Sequence, residues 1–246
     1  MSIPAAVETL ERELRDIFGP RLQSLAIYGR RAHEQQELPG GHGSAHGHHD
    51  PPPIQTLALV ESAARDDLRA CAARVASWHG AGLATPLVLA ANEFEQSLDV
   101  FPLEFGAILA DHEIVSGTPL SAAVDPVDLR RACEVQARSH LLHLRQGYIE
   151  TRGNIDALAV LVVASAAPLS ALLASVARLE GHTTGDGTES ARHVERALGL
   201  AGETLARIAR LAGVREIPSP EAEQMFPAYL EAVERLVAHV DGWRVA

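Results

Sequence analysis

No lysine occurs in this 246-residue chain; all 21 basic residues are arginine. That absence excludes a Schiff-base lysine, a lysine general base and the lysine of a phosphate-binding P-loop. An excess of Arg, Ala and Gly is also what a GC-rich genome imposes, so the missing lysine carries no function of its own. Positive charge is scarce: 32 acidic side chains outnumber the basic ones and leave a formal charge of -11. Broad binding to nucleic acid or to an anionic membrane is therefore not expected, although a local arginine patch still suits a phosphate. There are only two cysteines, Cys71 and Cys133, far apart and without a metal-binding motif. Both lie in helical patterns and read as buried free thiols of a reducing compartment, which makes a cytoplasmic location the expectation. The opening Met1-Ser2-Ile3-Pro4 lacks the basic and apolar regions of a signal peptide. One uncharged run, residues 157–177, is long enough to span a bilayer. Its Ala and Ser content, Pro168 and the lack of a flanking basic cluster favour the buried helix of a bundle, so no membrane partner is expected.

Apolar residues make up 47% of the chain, enough for one large core or two modest ones. Val7, Leu10, Leu14 and Ile17 recur at helical spacing before the Gly19-Pro20 stop. Strands are expected at 22–28, 54–60, 86–90 and 112–115, and a helix at 62–78. Residues 29–53 are polar and rich in Gly, Pro and His, which reads as a flexible loop. After Pro126 the strand signals stop. Leu129, Cys133, Ala137, Leu141, Leu144 and Tyr148 form one stripe of a helix at 128–149. Further helices are expected at 155–179, bent near Pro168, then at 189–198, 201–212 and 220–243. The fold class is therefore α+β. A mixed sheet with flanking helices occupies 1–120 and an all-α helical bundle occupies 121–246.

The order helix, strand, glycine turn, strand, helix, strand resembles the nucleotidyltransferase fold. In that family a strand ends in Gly-Ser and the next strand opens with Asp-x-Asp. Alternate strand residues point the same way, so the two carboxylates converge on divalent metals that neutralise the triphosphate. Here Leu25-Ala26-Ile27-Tyr28 runs into Gly29, and Arg30 stands where the serine belongs, followed by Arg31-Ala32. Leu57-Ala58-Leu59-Val60 matches the strand that follows the aspartates, which places their positions on Ile54 and Thr56. The intervening loop is longer than the family's. A literal Gly43-Ser44 with Asp50 after it lies in that loop, but the Pro39-Gly40-Gly41 stretch before it cannot be a buried strand. The segment Asp99-Val100-Phe101-Pro102-Leu103-Glu104-Phe105, then Ile114-Val115-Ser116-Gly117, closely resembles a bacterial group of nucleotidyltransferase-like proteins with a "DVFPIEF" segment and a C-terminal helical domain. The Arg145-Gln146-Gly147-Tyr148 helix and the final helix fit that group as well. The resemblance implies the fold, and a degenerate active-site motif in place of a standard one.

Several side chains have the chemistry of a site. Gly29, Arg30 and Arg31 suit a phosphate, because glycine admits it to the backbone and arginine forks onto it. Asp99 and Glu104 lie where the family's third carboxylate would come, and Glu104, set in an apolar run, is expected to be buried and paired with an arginine of the helical half. His42, His46, His48, His49 and Asp50 have metal-ligand chemistry on a loop without a fixed second shell. Arg138 and His143 match the Arg-x4-His of HEPN ribonucleases, yet five residues on a helix turn through about 140°, which separates the two side chains unless the helix ends between them. Asp156, Asp241 and Arg130 are expected to cap or pair across helices. Three readings follow. The first is a catalytically degenerate binding or regulatory protein, partnered by a nucleotide and by a protein or a second copy of the chain. The second is an active nucleotidyltransferase with a non-standard carboxylate set and magnesium. The third is a ribonuclease acting through Arg138 and His143.

Overall fold

The computed structural model describes residues 3–29, 52–182 and 186–243. They divide into two compact units, residues 1–100 with 104–123, and residues 101–103 with 124–246. The first opens with α1 (Ala5–Phe18), whose Val7, Leu10 and Leu14 are fully buried as their helical spacing dictates. A short 3-10 turn, Gly19–Arg21, leads into β1 (Leu22–Tyr28), and β2 (Gln55–Val60) lies antiparallel to it. The single helix expected at 62–78 is in fact two, α2 (Arg65–Ala72) and α3 (Val75–Gly80). The cause of the break is Arg74. Its amide donates to the Cys71 carbonyl and its guanidinium takes the Ala70 carbonyl, the acceptor a continuous helix would offer that amide. The late start at Arg65 follows from Asp67, whose carboxylate accepts the Ala64 amide and grips both guanidinium nitrogens of Arg21 at 2.7 and 2.8 Å.

The chain continues through β3 (Leu87–Ala90), α4 (Ala91–Ser97), α5 (Pro102–Ala110) and β4 (His112–Gly117). The sheet order is β3-β2-β1-β4; the β2–β3 pair is parallel and β1 is antiparallel to both its neighbours, so the sheet is mixed. One face carries Leu25, Ile27, Ala58 and Val60 into a core with α1, Cys71 and Trp78. The Trp78 indole donates to Glu13 of α1 at 2.5 Å and ties the two helices together. Gly117 ends β4 with φ +88°, and a Cβ there would come within 2.0 Å of the Gln23 carbonyl oxygen. Only glycine lets the strand lie this close to β1.

The second unit is helical: α6 (Pro126–Thr151), α7 (Ile155–Leu179), α8 (Gly187–Ala197), α9 (Thr204–Ala209) and α10 (Ser219–Gly242). Asp125, Asn154 and Asp186 cap the N-termini of α6, α7 and α8 by accepting backbone N–H groups. The uncharged run lies within α7, which is long and apolar enough to cross a membrane by length and composition. Here α7 packs on α6, α8, α9 and α10 and buries Leu158, Val162, Leu169, Leu172 and Val176. Gly147 of α6 sits against Leu161 of α7, where a Cβ would meet a methyl carbon at 2.5 Å. Cys133 belongs to this second core and Cys71 to the first; both are free thiols. Tyr148, expected on the buried stripe of α6, is instead 50% exposed and stacks on Phe226 with centroids 4.8 Å apart. Across the helices, Arg138 pairs with Asp241 at 2.8 Å, Arg130 donates to the Val240 carbonyl and Ser219 donates to Asp156.

Candidate functional site

The expected site lies where β1 ends and β2 begins. The register pairs Tyr28 with Gln55 on one side and with His112 on the other. Directly paired residues share a face. Gln55, Tyr28 and His112 thus form a row across the sheet, on the face opposite α1, and all three are half-buried. Burial, and then the carboxylate of Glu104, raise the Tyr28 phenol above its ordinary pKa. The charge of Glu104 thus reaches the Tyr28 phenol. Gly29 follows with φ +71° and open space around its Cα, but its amide already donates to the Asp111 carbonyl at 3.0 Å. That amide closes the strand end and is not available to a phosphate.

The strand that should bear paired carboxylates faces the other way. Thr56 pairs with Ile27, is fully buried, and its hydroxyl has no partner among the described residues. Ile54 packs against the same α1-side core. Positions 54 and 56 thus point into apolar packing rather than toward the Tyr28 row. The opposite parity, Pro53 and Gln55, also lacks a carboxylate. Either register leaves this strand without the charge that two metals require.

The remaining expectations fall unevenly. Glu104 is not buried: it lies exposed in the first turn of α5, because the segment forms a helix whose Pro102, Phe105 and Ile108 turn inward and leave position 104 outward. Phe105 meets Phe94 edge-on, with ring centroids 5.4 Å apart. Asp99 is exposed in the turn before that helix. Arg30, Arg31, His42, His46, His48, His49 and Asp50 lie outside the described residues. Among the described residues no group of three or more His, Cys, Asp or Glu side chains could hold a metal, so these residues do not fit a magnesium pair. Arg138 and His143 sit on one unbroken helix, with Arg138 drawn to Glu134 and Asp241. The helix does not end between them, so the two side chains stay apart. Sequence reasoning missed Tyr28, Gln55 and His112. Strand alternation could have aligned the first two, but the β1–β4 pairing that brings in His112 leaves no local signal.

The sequence matches no family model and no curated protein. A solved structure does match. It is the spectinomycin adenyltransferase AAD(9) of Enterococcus faecalis, solved with ATP and spectinomycin, at TM-score 0.54 and 10% identity, over 96% of this chain and 98% of that one. The chain has a nucleotidyltransferase-like fold. At this identity the likeness concerns the fold and leaves activity to the residues of the site.

Proposed function

We propose that this chain is a catalytically degenerate nucleotidyltransferase-like protein with a binding or regulatory role. The observation that carries the reading is Thr56. It occupies an expected carboxylate position, is fully buried in the α1-side core and offers no charge. Binding in this reading rests on Arg30 and Arg31, next to Gly29 in sequence, with a nucleotide phosphate held by arginine alone. The helical unit would serve assembly or a protein partner. The test is a screen for pyrophosphate release and labelled transfer with ATP, GTP, CTP and UTP, each with magnesium or manganese. Spectinomycin, named with the similar structure, serves as one trial acceptor. No transfer above buffer is expected, together with weak nucleotide binding that declines in Arg30→Ala. Robust metal-dependent transfer overturns the reading.

A second reading has its own observation: the charge of the Glu104 carboxylate reaches the Tyr28 phenol at the end of β1 and raises its pKa. It would make the chain an active transferase with a non-standard acidic set. Transfer by the wild type that is lost in folded Glu104→Gln would favour it.

A further inference from the structure

Between α6 and α7, wholly within the helical unit, lies an open recess of about 380 Å³. A molecule of one ring fits such a volume. Its polar lining is Gln136, Ser139, His143, Ser165 and His140, the last only 6% exposed. A directed chain of hydrogen bonds passes behind them. The Ser165 hydroxyl donates to the Val162 carbonyl at 2.8 Å, and the Tyr229 hydroxyl donates to Ser165 Oγ at 3.0 Å. With the Tyr229 proton spent on Ser165, the 2.7 Å contact with His140 Nε2 is one the imidazole donates. In that arrangement Nε2 carries the proton and Nδ1 is left as an acceptor. Burial holds the ring neutral down to about pH 4, so the acceptor persists at ordinary pH.

A second acceptor comes from the backbone. Pro168 has no N–H, so the carbonyl of Ala164, four residues earlier in α7, lacks its helical donor. Ala164 and Pro168 both line the recess. Leu144 and Leu161 supply apolar wall, and among the described residues no carboxylate or arginine lines the recess. An anion would find no permanent cation there, and an ammonium no counter-charge. A donor on an apolar body would satisfy the acceptors and cover the leucines.

We propose that this recess binds a small uncharged molecule with an apolar ring and a hydroxyl donor. The proposal is independent of the sheet edge and stands whether or not the chain transfers nucleotides. The experiment uses the full chain and ligand-observed NMR with three probes of similar shape: phenol, its methyl ether anisole, and benzoate. Saturable phenol binding is expected, with anisole at least tenfold weaker and benzoate silent. Ala164→Leu, a rim change compatible with the helix, should abolish the phenol signal by filling the recess. Pro168→Ala gives the Ala164 carbonyl a backbone donor, and should weaken phenol several-fold while leaving anisole unchanged. Far-UV circular dichroism checks both variants, and Pro168→Ala decides the matter should Ala164→Leu not fold. Equal binding of phenol and anisole overturns the proposal. So does phenol binding that survives Ala164→Leu in a folded protein, or the absence of saturable phenol binding to the wild type.

Discussion

Gly117 shows how much one missing side chain can decide. Its φ of +88° is costly for any L-residue, and a Cβ would overlap the Gln23 carbonyl. Gly117→Ala is expected to lose about 1–2 kcal/mol from backbone conformation alone, and more from the overlap. Urea denaturation of the variant, followed by circular dichroism, measures the loss. His140 sets a pH dependence. Its folded pKa is lowered from 6.5 to about 4, chiefly by burial and secondarily by His143. The unfolded chain therefore binds more protons than the folded one between those two values, and stability falls as pH drops through that window. The contribution at stake is about 3 kcal/mol. Urea midpoints across pH 4–7 should show this slope in the wild type and a shallower one in His140→Phe. Asp67 works at lower pH. Its hydrogen bonds from Arg21, then from the Ala64 amide, hold its pKa at about 2, below the ordinary 3.8. The stability it supplies is fully present above the ordinary value and is lost as pH falls through about 2.

Helix α7 combines a long buried stripe with an interior proline. Pro168 is exposed and costs the helix one hydrogen bond. Pro168→Ala should raise the melting temperature, by an amount equivalent to at most about 3 kcal/mol, as read by differential scanning calorimetry. A fall instead would mean that the helix is fitted to the proline. Much at this scale is legible in the sequence. Helix periodicity located α1, α6 and α10, because a buried stripe on a long helix repeats enough times to stand out. The α2–α3 break was hidden, since it depends on what the Arg74 side chain does and not on any breaker residue. The burial of Glu104 was misjudged for a related reason. An apolar run reads alike as a buried strand or as a helix with one outward position, and only the backbone chooses. At the candidate site, the identities of Gly29, Ile54 and Thr56 are plain in the sequence. The direction of Thr56 and the row Gln55–Tyr28–His112 required pairing between strands distant in sequence.

At the scale of the whole molecule, a mixed sheet and a helical unit each bury a core of their own. The fold is shared with the adenyltransferase at 10% sequence identity. The two cysteines turn this division into an experiment. Each core encloses one of them, Cys71 in the sheet unit and Cys133 in the helical unit, and burial raises both thiols, the latter to about 12. The chain thus carries an internal stopwatch for each unit, started whenever that unit opens to a thiol reagent. Leu236→Ala, a truncation in the helical core worth about 2–5 kcal/mol, should speed labelling of Cys133 far more than of Cys71. Mass spectrometry of timed samples reads the two clocks separately. Equal acceleration would mean that the units breathe together.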